Sequence, residues 1–442
     1  MKRFIVFILL LALVPMLYAK APKYVFLFIG DGMAAPQRMI AEEFSKTVGR
    51  GPLAMNHFDY HATTRTSSAN AMITDSAAAA TAIACGEKTN NGMIGLDPNG
   101  KVLQSSAEFA RDKGFKVGII STVYLNHATP AGFYGHRRNR GQYYDLALDL
   151  VASKFDFFGG GGIAKYDQAG KTNIYDLAKE AGYSVSFGKD GLKSLEPGTK
   201  VIALASRSRV RCMPYAINAD EKSAKLADVV EAAIKVLDNP KGFFMMVEGG
   251  AIDWAGHANE AAANLHDVLA LDDAVKTALE FYKKHPSETL IIVTGDHETG
   301  AMTMGFAGSG SNMNLKLLAG QKISIGDFSD LCKKAAADKK TFEDMQAMIT
   351  EYFGLKFSGD HKKDPTVVTK AELAALEKAF KDDKLANAVR QLMNRKAGIG
   401  WNSGSHTALP VLTTSIGCGA SNFNGFIENT DISKKIKALL SE

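Results

Sequence analysis

Cysteine is scarce in this chain. Four in 442 residues, with no C-x-x-C pair among them, are too few for a disulfide scaffold. Cys85, Cys212, Cys332 and Cys418 lie far apart, and their spacing does not say whether any two pair; Cys85 closes an alanine-rich helical run, where a small buried residue is expected. Long apolar runs are equally rare. The continuous stretch from Phe4 to Val14 is too short to span a bilayer comfortably. There is no low-complexity tract and no internal repeat. Charge of one sign does not accumulate either: the net charge is +5 and the basic residues are dispersed, which argues against nucleic acid as a partner.

What is present begins with a targeting pattern. Lys2 and Arg3 precede the apolar stretch, and Pro15 and Leu17-Tyr18-Ala19 follow it as a small-residue cleavage site. Export and cleavage after Ala19 are expected, with residence in a periplasm or outside the cell and no stable membrane insertion. Loss of Lys2 and Arg3 would take the net charge from +5 to +3. An uncleaved anchor would leave the functional reading unchanged.

The remaining chain, 46% hydrophobic, can bury a large core. Short apolar runs at Tyr24–Ile29, Val117–Ser121, Gly242–Val247 and Leu290–Thr294 read as buried parallel strands. Between them Leu226, Val229, Val230, Ala233, Ile234 and Leu237 share one helical face. The alternation predicts an α/β fold, a three-layer sandwich whose central sheet is mostly parallel and flanked by helices. Residues from about 309 to 398 are Lys-rich and helical in pattern, with a capping box at Thr369–Glu372 ahead of Leu373, Leu376 and Phe380. Strand-like sequence resumes at Leu409–Thr414. This stretch is expected to be a helical insertion in one catalytic domain spanning 20–442.

Three of the strand candidates end in acids: Gly30-Asp31-Gly32, Glu248-Gly249-Gly250 and Gly295-Asp296-His297. Parallel sheets bind ligands just beyond the carboxyl ends of their strands, so these acids should converge. Asp253 and His257, four residues apart, and the adjacent pair Asp296 and His297, both just beyond apolar runs, carry the mixture of carboxylate and imidazole that binds two close cations. Thr74-Asp75-Ser76-Ala77 opens the alanine-rich run. A serine at a helix N-terminus meets free N–H groups and makes a phosphate site, although alone it is ordinarily only a cap. His406 sits in a Gly/Ser loop, which alone says little. Arg137, Arg138 and Arg140 are all candidate phosphate binders on spacing. His57, His61, His266 and His285 have no setting that marks a site, and His361 lies in a charged stretch.

Together the motifs resemble those of alkaline phosphatases. They are Ile29-Gly30-Asp31-Gly32-Met33, Thr74-Asp75-Ser76-Ala77-Ala78, His127-Ala128-Thr129-Pro130-Ala131, Val247-Glu248-Gly249-Gly250-Ala251-Ile252-Asp253, Thr294-Gly295-Asp296-His297-Glu298-Thr299-Gly300 and Gly404-Ser405-His406-Thr407. The resemblance implies a phosphate monoester hydrolase that releases inorganic phosphate, with Ser76 as the phosphorylated nucleophile. It implies one zinc on Asp253, His257 and His406, and a second on Asp296 and His297, with Asp31 bridging to a third metal. Glu248 and Thr129 complete that third site, usually magnesium. Arg140, preceded by Asn139, matches the phosphate-binding arginine, and a homodimer is implied as well. Two positions depart from the best-known bacterial pattern: His127 stands where many members have aspartate, and Trp254, beside the substrate phosphate, where they have lysine. Imidazole suits zinc or cobalt better than magnesium. Related two-metal phosphodiesterases and phosphonate hydrolases, and an exported protein that merely binds zinc or phosphate, are the rival readings; Glu248, Thr129 and Arg140 favour monoesters.

Overall fold

The computed structural model describes residues 21–208, 211–311 and 313–442. The targeting segment, residues 1–19, lies outside the described residues. Ten strands form one sheet. In chain order they include β1 (Tyr24–Gly30), β2 (Tyr60–Arg65), β3 (Lys116–Ser121), β4 (Phe157–Gly160), β5 (Ser184–Phe187), β6 (Val201–Leu204), β7 (Phe243–Gly249) and β8 (Thr289–Gly295). Two short strands, β9 (Glu298–Thr299) and β10 (Met302–Met304), pair outside this sheet with β12 (His406–Thr407) and β11 (Ile399–Trp401). The last two strands of the large sheet are β13 (Val411–Gly417) and β14 (Gly425–Glu428). Their spatial order is β14-β2-β13-β8-β1-β7-β3-β4-β6-β5, and only β13 runs antiparallel to its neighbours.

β1 reads as an unbroken apolar run because both of its faces are covered, and every residue in it is buried. Phe26 and Phe28 point to one side, where they join Phe243, Met245, Val293 and the helices Leu226–Leu237 and Ala261–Lys284. Val25, Leu27 and Ile29 point to the other, against Ile119, Phe244, Ile292 and the helices Ser76–Cys85 and Asn429–Ser441. Two cores on the two faces of one sheet make the three layers.

The central strands are flush at their carboxyl ends. Gly30 faces Gly249 on one side and Gly295 on the other, and Ser121 of β3 faces Glu248. Asp31 and Asp296 therefore follow adjacent strands side by side, with about 4.8 Å between strands, and Glu248, paired with Ile29, stands two residues back on β7. The strand boundaries shift by one to three residues from the sequence reading, and two of the shifts have a clear consequence or cause. Glu248 still belongs to the ladder of β7, and the last apolar run begins pairing only at Val411, because Pro410 has no N–H to donate.

Residues 325–397 hold four helices: Ile325–Ala337, Phe342–Phe353, Lys370–Lys381 and Leu385–Ala397. They pack on a separate apolar cluster built on Phe328, Ile349, Phe353, Leu376 and Leu392. The Thr369 box closes with Thr369 N donating to Glu372 Oε2 at 2.8 Å and Glu372 N to Thr369 Oγ1 at 3.3 Å. No disulfide joins the cysteines among the described residues, and no helix there is long and apolar enough to cross a membrane.

Candidate metal centre

Four turns bring the sequence candidates together. Asp31 follows β1 in a turn that needs Gly32: its φ is +72°, and a Cβ there would lie 2.8 Å from Thr299 Oγ1 and 2.9 Å from Asp253 Cα. Gly32 N donates to Asp296 Oδ1 at 3.0 Å, tying the ends of β1 and β8. Just past β7 the chain enters the helix Ala251–His257, which carries Asp253 and His257 on one face. His406 is far away in sequence, but β12 pairs with β9 and sets it opposite Thr299.

The first trio is Asp253, His257 and His406. His257 Nε2 lies 3.1 Å from His406 Nε2 and 3.4 Å from Asp253 Oδ2, and His406 Nε2 lies 3.6 Å from Asp253 Oδ1. A tetrahedral shell of nitrogen and oxygen ligands at about 2.0–2.1 Å has edges of about 3.3 Å; the two Nε2 atoms sit near that spacing and separate oxygens of Asp253 face them, while Asp253, His406 and His297 place one ligand atom each within 4.8 Å of the others. Each imidazole has its other nitrogen occupied: His257 Nδ1 meets Gly404 O at 2.8 Å and His406 Nδ1 meets Thr74 O at 2.9 Å. Donation from Nδ1 leaves the Nε2 lone pairs facing inward.

The second trio is Asp31, Asp296 and His297. His297 Nε2 is 3.4 Å from Asp31 Oδ1 and 3.2 Å from Asp296 Oδ2. Ser76 Oγ lies 3.2 Å from the same nitrogen. Asp75, not Ser76, caps the alanine-rich helix: its carboxylate accepts from Ala78 N at 3.0 Å. Ser76 is consequently the first helical residue, with its hydroxyl free of the cap and turned toward His297.

A third group completes the centre. Asp31, His127 and Glu248 place one ligand atom each within 4.8 Å of the others. Thr129 Oγ1 donates to Asp31 Oδ2 at 3.2 Å, and Ser121 Oγ donates to Glu248 Oε2. Of the three candidate arginines only Arg140 reaches this centre: it donates to Asp75 Oδ2 at 3.1 Å and to His127 Nε2 at 3.2 Å. Arg137 is engaged with Asp149, and Arg138 reaches Asn99 O on the surface. Trp254 stands edge-on to His127, with ring centroids 6.2 Å apart.

Electrostatics decides what the cluster requires. Asp31, Glu248 and Asp296 are fully buried and Asp253 nearly so. Burial pushes Asp31 well above the usual carboxylate range, and Asp296 and Asp253 push it further. Burial raises Asp296 likewise and lifts Glu248 to about 7. Burial also opposes ionisation of Asp253, but the His257 hydrogen bond and the nearby histidines outweigh it and hold this carboxyl below its ordinary range. His257, hydrogen-bonded to Asp253, rises to about 9; burial lowers His297 far below its ordinary value and His127 to about 3. Asp31 Oδ1, Glu248 Oε1, Asp296 Oδ2 and His127 Nδ1 are buried without hydrogen-bond partners. Buried acids that face the Arg140 guanidinium and the His257 imidazole, with oxygens left unpartnered, fit divalent cations.

Sequence reasoning missed three supports. Thr299 Oγ1 donates to Asp253 Oδ1 at 2.5 Å and meets His297 Nδ1 at 3.3 Å, joining the two trios. Ser121 holds Glu248, and Asp75 holds Arg140. Their only signal was position: Thr299 and Asp75 stand inside quoted motifs and Ser121 ends a strand candidate.

The chain matches known proteins along nearly its whole length. The family model described as Alkaline phosphatase covers residues 22–441. Alkaline phosphatase 4 of Bacillus subtilis is 33% identical over 423 residues, spanning 92% of this chain and 86% of that one. Among solved structures, the cold-active alkaline phosphatase of a psychrophilic Shewanella superposes with a TM-score of 0.83 at 28% identity, covering 95% of this chain and 100% of that one. A variant of the alkaline phosphatase of the Antarctic bacterium TAB5, with one histidine replaced by glutamate, has Mg bound in its M3 site. It superposes with a TM-score of 0.68 at 27% identity, covering 96% of this chain and 99% of that one.

Proposed function

The chain belongs to the alkaline phosphatase family, and from that premise we propose that this metal-dependent phosphatase hydrolyses phosphate monoesters through a phosphorylated Ser76. The observation that carries the reading is the position of Ser76 Oγ, at the start of a helix and 3.2 Å from His297 Nε2 in the middle of the ligand cluster. Asp253, His257 and His406 would hold one zinc; Asp31, Asp296 and His297 a second; and Glu248, Thr129, His127 and Asp31 a third ion. When bound, two close divalent cations supply the charge that stabilises the attacking and leaving oxygens of an in-line displacement.

Ser76 Oγ forms the bond to phosphorus as the ester oxygen departs. Water then attacks the phosphoserine from the opposite side, and Ser76 Oγ leaves as inorganic phosphate is released. Two inversions give net retention at phosphorus. The Arg140 fork, aimed by Asp75 and His127, would bind two equatorial oxygens of the phosphoryl group. Trp254 would line the substrate side without adding charge.

The identity of the third ion turns on His127, whose imidazole favours zinc or cobalt over magnesium. The magnesium in the acid-for-histidine TAB5 variant is consistent with that preference. The same reading includes a cleaved targeting segment over 1–19, a catalytic domain over 20–442 with a helical insertion at about 309–398, export to a periplasm or the medium, and a homodimer.

The direct test is acid quenching during turnover of an aryl phosphate, followed by mass spectrometry of the peptide containing Ser76. A phosphate on Ser76 is expected. Ser76→Ala should lose on the order of 10³-fold or more in kcat while keeping zinc and phosphate binding. Full turnover by that variant would overturn the covalent scheme.

A further inference from the structure

The first trio draws its ligands from two separate pieces of chain. Asp253 and His257 ride on the helix Ala251–His257, and His406 rides on β12. Asp253 is 4% exposed and firmly packed, whereas the His257 side chain is 39% exposed and is the last residue of its helix. Packing alone therefore fixes His257 poorly. Its position depends on how the chain leaves the helix.

That exit is held from two sides. Asn259 adopts a φ of +50°, a left-handed conformation that asparagine tolerates better than most residues. Its side-chain amide donates to Gly256 O at 3.0 Å and to Ser403 O at 2.7 Å, pinning the helix end to the loop that leads to His406. The opposite side is gripped by the four-helix segment. On the helix Leu385–Ala397, Asn394 Nδ2 donates to Asn259 O at 2.7 Å and Asn394 Oδ1 accepts from Ala261 N at 3.3 Å. One turn earlier, Arg390 NH1 donates to Ala258 O, a carbonyl that the helix end leaves free. Glu260 Oε1 accepts from Gln321 Nε2 and from Ile325 N, both at 2.7 Å. Every residue of 258–261 is thus bonded to a segment that supplies no ligand of its own.

We propose that the helix Leu385–Ala397 acts through Asn394 and Arg390 as a brace that positions His257 against His406 and so sets the metal affinity of the first trio. The inference rests on the assignment of Asp253, His257 and His406 as metal ligands. Partners that orient ligands commonly change metal affinity by about 10–100-fold when removed. The second trio, built on the ends of β1 and β8, has no hydrogen bond to this brace among the described residues and should not respond to it.

The test uses cobalt as the probe. The metal-free full chain is titrated with Co²⁺, and the absorption of the first-bound and second-bound ions is followed against a competing chelator. Asn394→Ala should weaken the first site by about 10-fold with the second unchanged. Asn394→Asp, which keeps the acceptor for Ala261 N and loses the donor to Asn259 O, should fall between. Arg390→Met provides an independent break should Asn394→Ala fold poorly, and Gln391→Ala, exposed on the same helix, should match the parent chain. Wild-type affinity at the first site in both Asn394→Ala and Arg390→Met, or an equal loss at both sites, would overturn the brace and leave the assignment of ligands intact. A parent chain that binds no cobalt at the trio would overturn the assignment itself and the brace with it.

Discussion

Two groups of buried acids in this molecule behave differently. At the ends of β1, β7 and β8, Asp31, Glu248 and Asp296 converge with oxygens that nothing in the protein satisfies. Beyond the helix Ala251–His257, Glu260 and, on the next helix, Asp267 are buried as well, but the protein bonds them: Gln321 and Ile325 to Glu260, and Ala216 N to Asp267 Oδ2 at 3.3 Å. Burial lifts these two to about 7 and about 8. The raised values are alike in both regions, so a perturbed carboxyl does not mark a metal site. Convergence with histidines and unpartnered oxygens does.

The contrast can be broken by substitution, starting from the largest expected effect on turnover. Asp296→Asn removes a charge from the converging set, and kcat/KM should fall by on the order of 10³-fold with loss of metal, measured as zinc per chain beside the rate. Arg140→Ala should cost about 10²-fold in kcat/KM and weaken competitive inhibition by inorganic phosphate, with zinc content preserved. His127→Asp should change the rate little in zinc alone yet make activity respond to added magnesium, read by refilling metal-free protein with zinc, zinc plus magnesium, or cobalt. An unchanged response in the variant would count against His127 as the determinant.

The smallest effect on turnover belongs to Asp267→Asn, which should leave activity near that of the parent. Its signature is stability. The folded-state value of Asp267 is raised, so the folded chain holds a proton that the unfolded chain has released between about pH 4 and pH 8. Stability from the protonated acid is complete below that window and is lost as pH rises through it. The asparagine variant should therefore gain in relative melting temperature from pH 4 to pH 8, by an amount equivalent to a few kcal/mol, and hold a constant advantage above it. Melting curves of metal-free protein over a pH series provide the measurement.

The order of motifs along the chain made the family legible, and continuous apolar runs disclosed the central strands because those strands are covered on both faces. Edge strands such as β5 and β14 were not legible: their residues are only partly buried, so neither alternation nor a continuous run marks them. The ligand residues could be named because acid and imidazole types stand out beside glycine at strand ends. Thr299, Ser121 and Asp75 could not, since a hydroxyl or an N-cap carboxylate looks the same whether it holds a helix or a catalytic group. The three arginines could be separated by spacing only with the help of a family resemblance. In the folded chain Asp149 occupies Arg137, and Arg140 alone faces Asp75 and His127.

The sequence by itself determined that three acids stand at or just past the ends of three buried strands and that a serine opens an alanine-rich helix, because these are local matters of periodicity and turn chemistry. Tertiary structure alone decided that His406 reaches Asp253 across more than a hundred residues, and that two helices contributing no ligand, Ile325–Ala337 and Leu385–Ala397, grip the turn after His257. Those outcomes depend on strand register and on backbone hydrogen bonds between distant segments, which local residue patterns do not encode.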